Sequence, residues 1–222
     1  CAMDTMNCKH FHCFGPCMVL EWALEEWREE ILERWNQINL FQMTRGINRF
    51  KGLAMALTEI NSRYMPIPGV EALNAWVETT KALSNDALIA AIAEAPEGEG
   101  KLCLEKALSW SKAVNDSIVL LPDAMKIPFA GAKECLEAAH SFADVAIVSS
   151  ANLGAVLEEW EKHGLLPHTD IVMAQNSGSK AACIAALLEK GYKPENVVMC
   201  GDAPGDLDAA RKNGVFFFPI LV

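Results

Sequence analysis

The chain has 222 residues, of which 51% are apolar and 22% charged, with a formal net charge of −10. This composition excludes the disordered and fibrous classes. The acidic balance repels a polyphosphate backbone, so no nucleic-acid partner is expected, although a local site can still bind a small anion. No apolar run reaches the roughly 20 residues a membrane helix needs; even the runs 118–121 and 215–222 stop well short, and no membrane association is expected.

The eight cysteines are scattered through a large apolar chain with no visible signal peptide, whereas disulfide frameworks characterise short secreted chains. Reduced thiols and a cytoplasmic location are expected. The sequence starts at Cys1 rather than Met, so further residues are expected upstream.

In chain order, Cys8, His10, His12, Cys13 and Cys17 come first as a set of soft metal ligands. Their spacing matches no Cys-x-x-Cys pair, and the segment is expected to be a loop with no zinc. Residues 19–41 then place Leu20, Leu24, Trp27, Ile31, Trp35 and Ile38 at steps of three and four, the period of one amphipathic helix. Trp22, Trp27 and Trp35 fall on or near that stripe and are expected in its core. Further helices are expected over about 47–61, 69–82, 85–95 and 101–115, separated by Pro and Gly breakers.

The texture changes after Pro122. A helix over 131–140 leads into the apolar run 145–148, and strands and helices then alternate: helix 152–163, strand 170–173, helix 179–190, strand 197–200, helix 206–213, then an apolar run from Val215. That alternation predicts βαβ units in a parallel sheet covered by helices on both faces. Ligands of such sheets sit beyond the carboxyl ends of the strands.

The candidate functional residues follow those strand ends. Asp202 and Asp206, four apart on a turn entering a helix, have the hard oxygen donors and spacing to hold Mg²⁺. Asp206 is also a candidate helix cap. Ser149, Ser150 and Asn152 after strand 145–148 make a candidate phosphate cradle at a helix N-terminus, although Ser and Asn are equally the default helix caps. Lys180 opens the helix after Gln175 to Gly178, against the preference of a helix start for negative charge.

Read in order, Val-Ala-Ile-Val-Ser149, Gly-Ser-Lys180 and Gly201-Asp202-Ala-Pro-Gly-Asp206 resemble motifs two, three and four of the haloacid dehalogenase-like (HAD) superfamily. The resemblance covers residues 127–222. It implies a Rossmann-like α/β core made of 1–18 and 122–222, with an inserted α-helical cap at 19–121. It also implies a Mg²⁺-dependent phosphatase that acts on a small phosphorylated metabolite through an aspartyl-phosphate. The first motif departs from the pattern. If Asp4 is the nucleophile, Met6 stands where the family has a second carboxylate, which favours a catalytically impaired binding protein as one alternative.

In a second register the nucleophile precedes Cys1 and Ala2 takes the general-acid position, as in the phosphonoacetaldehyde hydrolase branch, which cleaves a C–P bond through a Schiff-base lysine. The segment Arg45-Gly-Ile-Asn-Arg49-Phe-Lys51-Gly-Leu53 is loosely similar to that branch's lysine-bearing segment. Lys51 is then the substrate-binding candidate if the cap buries it. In both registers the partner is a small phosphorylated or phosphonate substrate.

Overall fold

The computed structural model describes residues 2–80 and 82–221, with only the backbone of Asn176. The chain divides into two units, Met6–Leu121 and Cys1–Thr5 with Pro122–Val222. No helix among the described residues is long and apolar enough to cross a membrane.

The first unit is helical: α1 Met6–Lys9, α2 Gly15–Glu21, α3 Arg28–Asn36, α4 Arg49–Arg63, α5 Val70–Thr79, α6 Asn85–Glu94 and α7 Glu99–Leu120. The expected loop at residues 8–17 is instead helical, with a wider π-type turn at His10–Phe14 joining α1 to α2. Hydrophobic burial explains the difference: Cys13 and Met18 are fully enclosed and Phe14 is 8% exposed. Residues 6–18 thus belong to the helical unit, and not to the α/β unit as the sequence reading had it.

The expected single helix over 19–41 is also broken. Ala23 takes a left-handed φ of 54°, and the chain restarts through a short 3₁₀ turn, Glu25–Trp27, before α3. A left-handed alanine costs about 1–2 kcal/mol. The turn in exchange encloses Trp22 and Leu24, each burial being worth about 1.5–3 kcal/mol, and leaves Leu20 exposed. Of the expected stripe, Leu24, Ile31, Trp35 and Ile38 are buried, whereas Trp27 is half-buried.

The remaining helices begin close to their signals, although α7 runs on to Leu120 where the expected helix ended at about 115. Asn48 caps α4 by accepting from Phe50 N at 2.9 Å, and Ser84 caps α6 through Ala87 N at 3.2 Å. The expected helix 69–82 ends at Thr79; Lys81 lies outside the described residues. The core is aromatic: Trp110 meets Trp35 edge-on at 6.0 Å, Phe50 at 6.2 Å and Phe14 at 6.0 Å. Gly52 is required where α4 passes the buried Asn39, because a Cβ there would overlap the Asn39 amide.

The second unit alternates helices and strands: α8 Ala132–His140, β1 Ala146–Val148, α9 Leu153–Lys162, β2 Ile171–Met173, α10 Lys180–Leu188, β3 Val198–Gly201, α11 Pro204–Asn213 and β4 Phe216–Pro219. Pairing is parallel: β1 with β2 (Ile147 opposite Val172), and β3 with β4 (Met199 opposite Phe217). The described strands form these two ladders side by side in sequence, each spanning one βαβ unit. Residues 2–4 run antiparallel to 127–129, with Met3 bridged to Pro128 and Phe129 N donating to Ala2 O at 2.9 Å. A small cluster of Ile184, Ala209, Ala210 and Val215 packs α10 and α11 together. The opposite face of β3 and β4 leaves Val198, Cys200, Phe216 and Phe218 exposed.

Candidate functional site

β3 delivers the chain to Gly201, and Asp202 follows half-buried at its carboxyl end. Pro204 then starts α11, where its missing N–H costs nothing and its fixed φ suits a helix. Asp206, in the first turn of that helix, is 2% exposed. Its Oδ2 accepts from Ala203 N at 3.1 Å, and its backbone N–H donates to Ala203 O at 2.9 Å, so the 203–206 turn is closed from both sides. A Cβ on Gly201 would run into the Asp206 carboxylate. Only glycine lets the strand end lie against that side chain.

The second oxygen of Asp206 accepts a hydrogen bond from Lys180 Nζ, forming an ion pair across 26 positions. Lys180 is the first residue of α10, which Ser179 caps through Ala182 N at 3.2 Å. An ammonium at a helix start is disfavoured by the helix dipole. The buried carboxylate opposite compensates for it, and fixes the Lys180 head group beside the strand end that carries Asp202.

The strand end of β1 is organised differently. Ser149 N–H donates to Met173 O at 2.9 Å and Ser149 Oγ accepts from Ala151 N at 3.1 Å. Gln175 N–H donates to Ala151 O at 2.9 Å, which ties the loops after β1 and β2 to one another. Asn152 caps α9, its Oδ1 accepting from Gly154 N at 2.9 Å and Ala155 N at 3.4 Å. The Ser149 hydroxyl and the Asn152 carbonyl are therefore committed to local turns, as the capping alternative expected, and Ser150 is exposed beside them.

Asp4 is exposed, with its backbone N–H on Ile127 O at 2.9 Å. Its carboxylate makes no hydrogen bond or ion pair with any described residue. The structure thus brings Lys180 and Asp206 into contact with each other, Asp202 preceding Asp206 by four positions after β3, and does not link Asp4 to them. Lys51 is exposed in the first turn of α4, so the burial that would make its amine nucleophilic is missing. Among the described residues no three His, Cys, Asp or Glu side chains gather to hold a metal. His10 is instead a ring in the helical core, its Nδ1 accepting from Trp35 Nε1 at 3.1 Å.

Sequence reasoning missed the Gly201 contact and the direct Lys180–Asp206 pair. The second had one signal, a lysine placed against its helix dipole. A further feature it passed over is Arg49, whose only sign in the sequence was a charge between the apolar Ile47 and Phe50.

Among solved structures, the chain is similar to the haloacid dehalogenase-like family protein SP0104 from Streptococcus pneumoniae, at 15% identity and a TM-score of 0.44 over 75% of this chain and 74% of that one. It is also similar to a haloacid dehalogenase-like hydrolase from Bacteroides fragilis, at 14% identity and a TM-score of 0.44 over 76% and 79%. A third is the magnesium-bound HAD-hydrolase YfnB from Bacillus subtilis, at 13% identity and a TM-score of 0.44 over 92% and 81%. No curated protein matches. The family model of haloacid dehalogenase-like hydrolases matches residues 74–220, the greater part of the chain and all of the second, third and fourth motifs. The chain belongs to the haloacid dehalogenase-like hydrolase family.

Proposed function

We propose that this hydrolase is a Mg²⁺-dependent phosphatase acting on a small phosphorylated metabolite. The observation that carries the reading is the ion pair between Lys180 and the buried Asp206, which sets a cation beside Asp202 at the end of β3. The donor set fits a hard divalent ion. Mg²⁺ takes one or two protein carboxylates and completes its shell with water and substrate oxygens, so Asp202 and Asp206 suffice without a third ligand. Asp206 retains lone pairs beyond the two hydrogen bonds it accepts. Mg²⁺ bound there would supply positive charge to the transferring phosphoryl oxygens.

The chain's own residues do the rest. Lys180, fixed by Asp206, offsets the negative charge of the phosphoryl group. Ser150, exposed after β1, is left to donate to its oxygens through its hydroxyl. Asp4 is the candidate nucleophile in this sequence: its carboxylate attacks phosphorus, the ester P–O bond breaks to release the alcohol as its oxyanion, and water then hydrolyses the aspartyl-phosphate to Asp4 and inorganic phosphate. Met6 cannot protonate a leaving group, so turnover should depend steeply on leaving-group acidity. The cap role is assigned to the helical unit and the catalytic role to the α/β unit. A cytoplasmic location is part of the reading, because the eight cysteines are scattered through a large apolar chain and not spaced as the framework of a short secreted one.

The test is Mg²⁺-dependent phosphate release from a panel of small esters by the wild type and by Asp202→Ala. The reading expects activity in the wild type, highest on aryl phosphates, and its loss in the variant. Equal turnover by both proteins would remove the metal role from Asp202.

A further inference from the structure

The α/β unit gathers the entries of three strands at one rim. His140, the last residue of α8, meets Asp170 Oδ1 through Nε2 at 3.2 Å, directly before β2. The other oxygen of Asp170 accepts from Val145 N at 2.7 Å, directly before β1. Asp144 Oδ2 accepts from the Tyr192 hydroxyl at 2.6 Å, which ties in the segment that leads to β3. From this rim α8 runs back to Cys135, five residues before His140 and so about 7 Å along the helix. β3 runs forward from Val198 to Cys200, about 7 Å along the strand. The two cysteines therefore stand at similar heights above the rim.

They also lie on the same side of β3. Met199 packs against the cluster that joins α10 and α11, and alternation along the strand turns Val198 and Cys200 to the opposite face. Partial desolvation, and after it Cys135, raises the pKa of the Cys200 thiol, so the Cys135 sulfur is within electrostatic reach of it. α8 thus stands over the face that α10 and α11 leave open.

Among the described residues Cys135 and Cys200 are the exposed cysteines, the others being half-buried or buried. A cysteine kept for packing alone is enclosed, as Cys13 and Cys103 are. Two accessible thiols beside one another are instead the arrangement in which one sulfur is oxidised and the second resolves it.

We infer that Cys135 and Cys200 form an oxidisable dithiol, a modification site at which hydrogen peroxide closes a disulfide between α8 and β3. The Cys135 thiolate attacks one peroxide oxygen, the O–O bond breaks, and the departing hydroxide takes up a proton to become water, leaving a sulfenic acid on Cys135. The Cys200 sulfur, giving up its proton, then attacks the Cys135 sulfur; the S–O bond breaks and a second water leaves. The two thiols lose two electrons and two protons in all, and one peroxide is reduced to two waters. The bond needs the two Cα atoms within about 7 Å, and it fastens α8 to β3 two residues before Asp202. A dithiol such as dithiothreitol reverses it by exchange.

The experiment exposes the full-length chain, dilute and without Mg²⁺ or substrate, to hydrogen peroxide. Remaining thiols are then alkylated, and unreduced tryptic peptides are mapped by mass spectrometry. The expected product is the Cys135 peptide joined to the Cys200 peptide, lighter than their sum by two hydrogens, within one chain, and lost on dithiothreitol treatment. The oxidised wild type should unfold at a higher Tm than the reduced protein, because the bond shortens the unfolded chain. Cys135→Ser should show neither the linked peptide nor the rise in Tm. Both thiols still alkylatable, sulfinic acids in place of the link, or links that join two chains or other cysteines equally often would each overturn the site. None of these readouts involves turnover, so the phosphatase reading stands or falls separately.

Discussion

In the helical unit Trp35, Trp110 and Phe50 meet edge to face while Met18, Leu24 and Leu53 are sealed from solvent. The α/β unit closes α10 and α11 over Ile184, Ala209, Ala210 and Val215, and leaves one face of β3 and β4 open. The large rings tolerate no vacancy, so helical packing is set by side-chain volume. In the α/β unit small alanines let backbones approach, and the loops are held by polar pins: Asp206 on Lys180 and Ala203, and Asn152 on α9. The contrast teaches where each kind of substitution should be felt. Volume changes should act on stability in the first unit, and charge changes should act on chemistry in the second.

The largest effect on stability is expected at Trp110. Trp110→Ala should lose about 3–5 kcal/mol in denaturant unfolding, because it removes a ring that touches Phe14, Trp35 and Phe50 and breaks its Nε1 hydrogen bond to Phe14 O at 3.1 Å. If this variant unfolds no more easily than the wild type, the helical core is not the stabilising half of the molecule. Asp202→Ala should leave the unfolding midpoint nearly unchanged while lowering Mg²⁺-dependent turnover by about a hundredfold or more. The reverse pattern would put Asp202 in the scaffold.

A pH dependence comes next. His10 is held neutral with a pKa of about 3 in the fold, whereas the unfolded chain binds its proton near the ordinary 6.5. Below that value the unfolded state takes up more protons, so stability falls with falling pH until about 3. By pH 5 the loss reaches about 2 kcal/mol from this residue alone. Comparing His10→Gln with the wild type isolates it from the carboxylates: the stability difference should shift in favour of the variant as pH falls from 7 to 5. A constant difference contradicts the assigned burial. The smallest effect belongs to Asn152→Ala, which removes the cap of α9 and should cost about 1 kcal/mol. A much larger loss of turnover than of stability would return Asn152 to the substrate-binding role first read from the sequence.

The strand and helix alternation after Pro122 was legible because each element carries its own period or its own turn residues. The Lys180, Asp202 and Asp206 motifs were legible for the same reason, each lying directly after a strand. The break at Ala23 was not, since no Gly or Pro marks it and the turn is stabilised by what Trp22 and Leu24 bury against. The helical Cys8–Cys17 segment escaped notice likewise, because its polar residues disguise an inward face of Cys13, Phe14 and Met18. Long-range pairs such as Arg49 with Ser111 and Asn115 leave no local signal at all.

The division of labour between the two units is tested most directly by calorimetric titration of Mg²⁺ into three proteins: the wild type, Asp202→Asn and Arg49→Gln. The account predicts one binding event in the wild type, its loss in Asp202→Asn, and its retention in Arg49→Gln. Unaltered Mg²⁺ binding by Asp202→Asn would contradict it.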